Sequence, residues 1–193
     1  MDQRKPPEYV IEVFADPGSV KEIVRGILHT IFFQRFFPSV RPKTCDVLDL
    51  TLPFVDDVEL ETLIDQRTAT LIRQLDTSCD LENRNSGVRG TICVQYFEKK
   101  RKKAWFTKGE EEVCWEHWTL DVTLATPRNE LEKEKVRKAM EQMLLKAAMK
   151  IVTIVNRDKD HIPPITSGES NPFPYQIIVN PKESGWSTRM GIF

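Results

Sequence analysis

The sequence lacks the features that mark secreted, membrane-spanning and disulfide-rich proteins. Its 193 residues include four cysteines, and no two of them form a Cys-x-x-Cys pair. This spacing favours reduced thiols inside the cell over a disulfide framework. No run of 18 apolar residues occurs, so no transmembrane helix is predicted. Residues 1–7 contain no apolar stretch, which predicts that a secretory signal is absent. Together these absences predict a cytoplasmic protein.

The motifs of the common enzyme classes are also missing. No phosphate-binding GxxxxGK[ST] or GxGxxG and no GxSxG is present, and the chain has three histidines. The GxxG pattern at residues 87–90 is like a nucleotide-clamping loop, but it leads into a predicted strand instead of joining two helices. Lys and Arg total 28 against 29 Asp and Glu, a net charge of −1, which excludes a generally basic nucleic-acid-coating protein. We predict neither an enzyme nor a nucleic-acid binder.

His29 and His117 are candidates for a catalytic base and a metal ligand. His29 lies among apolar residues of a predicted helix, which is more typical of a core histidine than of a catalytic base. Cys114 and His117 have a spacing of three, and on a regular strand such positions point to opposite faces. No further ligands lie nearby in the sequence. We therefore predict no catalytic residue, no metal site and no cofactor.

The length of 193 residues fits one domain. The order β-α-β-α-β-β-α-β predicts an α+β fold in which helices cover one face of a mainly antiparallel sheet. We expect a single domain over residues 1–180 and a C-terminal tail over residues 181–193.

Local patterns give approximate limits for each element. They predict a strand near 10–14, a helix opened by Asp16-Pro17 and ending near Phe37, one strand over Cys45–Phe54, a helix capped by Asp56 or Asp57, a loop at 80–90, strands at 91–98 and 114–124, a helix from Thr126-Pro127 to about Asn156, and a strand over Tyr175–Val179.

The connection between the two central strands is unusually long. It contains five successive cations, Lys99, Lys100, Arg101, Lys102 and Lys103, followed closely by Trp105 and Phe106. Leaving the two aromatic side chains in water forgoes up to about 4–6 kcal/mol of transfer free energy each. Three interpretations are open. The aromatic pair folds back onto the domain, or it is a hot spot kept for a protein partner, or it joins the cations in contacting anionic lipid.

The last predicted helix is apolar on two sides. Its core stripe comprises Met140, Met143, Leu144, Ala147, Ile151, Ile154 and Val155. Leu145, Met149 and Val152 form a second stripe, roughly opposite the first. The second stripe is buried between the two earlier helices, or it is a face for a heterodimer partner.

Several segments resemble one family in the order in which they occur. The segment Leu28-His29-Thr30 is similar to its leucine-histidine-threonine signature. Asp46-Val47-Leu48-Asp49, the basic run before Trp105-Phe106, Cys114–Thr119 (CWEHWT) and Val155-Asn156-Arg157 match further parts of it. The chain thereby resembles the autophagy-related protein 101 family over most of its length.

The resemblance implies a fold and a function. It implies a HORMA domain, three helices packed on a β-sheet, in a non-catalytic subunit of the autophagy-initiation kinase complex. Such a subunit pairs with the HORMA domain of autophagy-related protein 13 and stabilises it. Trp105 and Phe106 would form a protruding finger that recruits downstream factors to the preautophagosomal structure. The alternatives are a lipid-targeting module that uses Lys99–Lys103 and a peptide-binding HORMA adaptor of another pathway.

Overall fold

The computed structural model describes residues 5–38, 41–81, 87–101, 109–165 and 171–181. Within these ranges the chain forms six strands and three helices. They are β1 (Glu8–Ala15), α1 (Val20–Arg35), β2 (Pro42–Val47), β3 (Leu50–Val55), α2 (Val58–Leu81), β4 (Arg89–Arg101), β5 (Glu110–Leu124), α3 (Glu130–Arg157) and β6 (Tyr175–Val179). Residues 182–193, nearly all of the expected tail, lie outside the described ranges.

Four strands form the main sheet in the order β1-β5-β4-β6. β4 pairs antiparallel with both β5 and β6, whereas β1 runs parallel to β5. Side chains that alternate along these strands are buried beneath the helices, among them Ile11, Trp118 and Val94. The prediction of an α+β fold with three helices on a mainly antiparallel sheet is confirmed.

Helix α1 is the central helix of the domain. It packs against β1 of the main sheet, against α2 and α3, and against the separate β2–β3 hairpin. Eleven of its 16 residues are buried, as expected for a helix with partners on most sides. It begins after a turn in which the Asp16 carboxylate accepts a hydrogen bond from the Ser19 N–H (2.7 Å). Asp16-Pro17 therefore precedes α1 instead of opening it.

His29 of α1 is a core residue, with 1% of its surface exposed. Its ring stacks on Phe54 with the centroids 3.9 Å apart. Neither ring nitrogen makes a hydrogen bond within the described residues. Burial, with a further contribution from nearby Arg25, lowers the pKa of His29 from 6.5 to about 4, because a charged ring loses its hydration there.

This burial predicts a pH-dependent stability. A histidine with a lowered folded pKa contributes fully above its unfolded pKa of 6.5, and that contribution is lost as the pH falls through 4. Between pH 7 and pH 4.5 we expect His29 to account for a loss of about 2–3 kcal/mol in the free energy of unfolding. Urea titrations of the wild type and His29→Leu at both pH values measure it. Equal losses in the two proteins would contradict the prediction.

The single strand predicted over Cys45–Phe54 is wrong, because this segment is a hairpin. β2 and β3 pair antiparallel with Val47 opposite Leu50. The chain reverses at Leu48, whose φ is 52°, a left-handed conformation that non-glycine residues seldom adopt. The alternation of apolar residues continues through the turn, and neither glycine nor an Asn-Gly pair marks it.

The other elements differ from the prediction mainly at their ends. α2 begins where the Asp57 carboxylate accepts from the Leu60 N–H (2.8 Å), and it continues to Leu81, into the predicted loop. α3 begins at Glu130 rather than at Thr126-Pro127, because the Asn129 side chain caps it by accepting from the Glu132 N–H (2.8 Å). None of the described helices is long and apolar enough to cross a membrane.

Candidate functional site

Strands β4 and β5 continue beyond the main sheet as a two-stranded ribbon, Phe97–Arg101 paired with Glu110–Cys114. β6 pairs with β4 only as far as Tyr96, and β1 pairs with β5 only from His117 onward. At about 3.3 Å per residue, the four steps from Phe97 to Arg101 extend the ribbon by about 13 Å. Seven of the 15 residues in the connection predicted from the sequence (99–113) are thus paired strand, Lys99–Arg101 and Glu110–Val113.

Three cations of the predicted lipid patch lie in this ribbon opposite acidic residues. The register places Lys99 opposite Glu112, Lys100 opposite Glu111 and Arg101 opposite Glu110. Lys100 also forms an ion pair with Glu98. Directly opposed charges of opposite sign stabilise an antiparallel pair, and they reduce the positive potential that anionic lipid would need. Lys102 and Lys103 lie outside the described residues.

Trp105 and Phe106 also lie outside the described residues. The strand that leads toward them ends at Arg101, and the strand that returns begins at Glu110. The predicted finger residues therefore belong to the segment that joins the far ends of the ribbon.

A β-bulge marks the base of the ribbon. Tyr96 lies opposite Glu116 and Phe97 opposite Cys114, so Trp115 is the extra residue. A bulge changes the direction of the side chains beside it, and here both Trp115 and Glu116 are buried.

The register also places Cys114 and His117 on the same sheet face, opposite Phe97 and Gln95, so the expectation of opposite faces is wrong. No group of three or more metal-ligating side chains occurs in the part of the chain that the structure describes.

The Glu116 carboxylate, fully buried, forms the centre of a polar cluster. It accepts hydrogen bonds from Arg35 Nε (3.0 Å to each oxygen) and from Trp118 Nε1 (2.5 Å). His161 Nε2 lies 2.7 Å from its second oxygen, and Arg35 also donates to the Asp158 carbonyl (3.1 Å). We call these four residues around Glu116 (Arg35, Trp118, Asp158 and His161) and Glu116 itself the Glu116 cluster. It joins the end of α1, strand β5 and the chain after α3.

Helix α3 exposes the second stripe predicted from the sequence. Leu145 is 49% exposed, Met149 57% and Val152 36%. The core stripe lies on the opposite side, where the buried residues are Met140, Leu144, Ala147, Ile151, Ile154 and Val155. The position between two helices belongs to α1, not to α3. Three large apolar side chains on successive turns of one helix therefore face solvent, a pattern that marks interaction surfaces.

Comparisons with known proteins identify the family. A model of the autophagy-related protein 101 family matches residues 12–169. The chain belongs to the autophagy-related protein 101 family. It is 27% identical over 203 residues to autophagy-related protein 101 of Arabidopsis thaliana, covering 94% of this chain and 90% of the relative. It is 30% identical over 168 residues to that of Schizosaccharomyces pombe, covering 86% and 83%. The Homo sapiens relative is 24% identical over 163 residues, covering 77% and 71%.

The segments through which the chain resembles the autophagy-related protein 101 family contribute mainly to the core. Leu28, His29, Glu116 and Trp118 are each at most 1% exposed. These matches identify the fold and its place in autophagy. They do not mark the exposed stripe on α3, which helical periodicity alone indicates. The Glu116 cluster was missed. Glu116 lies two residues before Trp118, on the buried face of β5, but its partners Arg35, Asp158 and His161 are too distant in the sequence to be assigned to it.

Proposed function

We propose that this member of the autophagy-related protein 101 family is a non-catalytic adaptor of autophagy initiation. It pairs with the HORMA domain of autophagy-related protein 13 and stabilises it. It presents Trp105 and Phe106 to downstream factors that build the autophagosome. The adaptor is cytoplasmic and is recruited to the preautophagosomal structure.

The ribbon is the observation that supports this function most directly. A two-stranded arm of about 13 Å beyond the sheet connects to the Trp105-Phe106 segment. A paired arm orders the chain on both sides of the tip, so a partner that binds there pays less conformational entropy than it would for a free loop.

The stripe of Leu145, Met149 and Val152 supports the pairing. α3 is anchored to β1 and α1 by its buried side, so its outer side is a rigid surface. Rigid apolar side chains bind without a large ordering cost, and they are the kind of residue that interface centres use.

Size-exclusion chromatography with light scattering tests the pairing. The wild type mixed with the HORMA domain of autophagy-related protein 13 is expected to form a 1:1 complex. Replacing Leu145, Met149 and Val152 together by serine is expected to weaken it by at least about 30-fold, because loss of two or more anchors costs about 2 kcal/mol or more.

Leu131→Ser is the matched control. Leu131 is an exposed apolar residue of the same helix (64% exposed), but it lies about 21 Å before Leu145 along the axis. We expect this variant to pair like the wild type. Unchanged pairing of the triple variant would exclude the stripe as the interface, and no complex with the wild type would exclude the pairing itself.

A further inference from the structure

The side of α3 next to the apolar stripe carries three basic residues. At 100° per residue, Lys146, Lys150 and Arg157 lie within about 40° of one another around the helix. No acidic residue occurs between Gln142 and Arg157. The C-terminal half of α3 thus presents an apolar stripe and, beside it, a row of three cations, which we call the basic row.

The basic row borders β1, an outer strand of the sheet that the described residues form. The open groove between β1 and α3 has a volume of about 440 Å³. The groove is lined by Glu8, Tyr9, Val10, Lys150, Thr153, Ile154 and Arg157. Lys150 Nζ donates to the Val10 carbonyl (2.7 Å) at this edge, and Arg157 pairs with Asp158 (2.7 Å). Lys146 has no ion pair within the described residues.

We propose that the partner covering α3 meets the basic row with acidic side chains. This inference rests on the proposed pairing and adds the chemistry of the partner surface. Lys146 directly follows Leu145, so a protein that covers Leu145 and Met149 also approaches the Lys146 ammonium. Removing an ammonium from water without a counter-charge is strongly unfavourable. A carboxylate on the partner offsets that cost and speeds the encounter.

A protein partner fits this surface better than an anionic membrane. Lys150 and Arg157 line a groove and are held there by Val10 and Asp158, and a protein side chain can enter a concave surface that a flat membrane does not follow. Membrane-binding helices instead lie flat in the interface with a broad apolar face. α3 cannot do so, because its widest apolar side packs in the core.

Association kinetics with the HORMA domain of autophagy-related protein 13 test the proposal. Lys146→Glu, which breaks no described contact, and Lys146→Glu/Lys150→Glu are compared with the wild type at 50 mM and 500 mM NaCl. We expect the double reversal to lower the association rate constant about tenfold at low salt, with a smaller effect at high salt because the charges are screened. Lys21→Glu, an exposed reversal on α1, is the matched control and is expected to change the rate less than twofold.

Each other outcome overturns the inference in a distinguishable way. If the wild type forms the complex and Lys146→Glu changes the association rate constant no more than Lys21→Glu does, the acidic partner surface is overturned and the pairing stands. No wild-type complex overturns the pairing and the inference together. Flotation of the wild type with phosphatidylserine vesicles, abolished by Lys146→Glu/Lys150→Glu, would assign the basic row to a membrane instead.

Discussion

Replacing Glu116 by alanine is expected to lower the free energy of unfolding by about 3–5 kcal/mol, because one partner of a buried ion pair is removed and the other stays buried. Arg35 is 4% exposed, so its guanidinium cannot regain its hydration in the folded state. The indole N–H of Trp118 and the ring of His161 lose the same acceptor. Urea denaturation at pH 7 measures the effect.

Two further variants define the cause. Glu12→Ala removes an exposed glutamate from β1 and is expected to change stability by less than about 0.5 kcal/mol. Arg35→Met in the Glu116→Leu background removes both charges, and it is expected to recover most of the loss because no unpaired charge remains. A loss below about 1 kcal/mol in Glu116→Ala would show that the Glu116 cluster is not a main support of the fold.

Replacing Trp105 and Phe106 together by alanine is expected to reduce autophagosome formation in cells to background. Central aromatic anchors of an interface each contribute about 2–4 kcal/mol, so losing both weakens binding by roughly a thousandfold or more. The 1:1 complex with the HORMA domain of autophagy-related protein 13 should persist, because the stripe on α3 is unchanged. Counting autophagosomes in cells that lack the endogenous protein measures the effect.

The melting temperature separates this function from a structural role. If Trp105 and Phe106 pack on the domain, the double variant melts several degrees lower than the wild type. Unchanged melting with lost autophagosomes supports the finger. Glu111→Ala, a change on the ribbon that leaves both aromatic residues in place, is the control, and it is expected to retain autophagosome formation.

Helices and strands were predicted correctly where the spacing of their apolar residues matches the side that is buried in the fold. The apolar positions of α1 that follow the helical repeat and the core stripe of α3 are all buried except Met143, which is half-buried. β6 was predicted with its observed ends, Tyr175–Val179. The exposed stripe on α3 was likewise visible as a second set of positions at helical spacing, although its exposure could not be deduced, because periodicity does not tell which helix is central.

The remaining errors come from interactions between distant residues. The ribbon was missed because a run of like charges is typical of a loop. Here the basic run of β4 lies opposite the acidic run of β5, and this pairing cannot be deduced from either run alone. Burial of Glu116 depends on Arg35, 81 positions away. It also depends on the β-bulge at Trp115, which no residue type in the sequence indicates. The turn requires a left-handed backbone conformation at Leu48, but apolar and polar residues alternate through this segment as they would in one continuous strand.

The parallel pairing of β1 with β5 has a consequence for synthesis of the chain. Glu8 lies opposite His117, so the ribosome adds about 110 further residues after this part of β1 before the partner residues in β5 exist. At roughly 5–20 residues per second this takes on the order of ten seconds. During that time the apolar side of β1, with Ile11 and Val13, has no sheet to join. The nascent chain is therefore expected to bind chaperones through β1 until β5 leaves the ribosome.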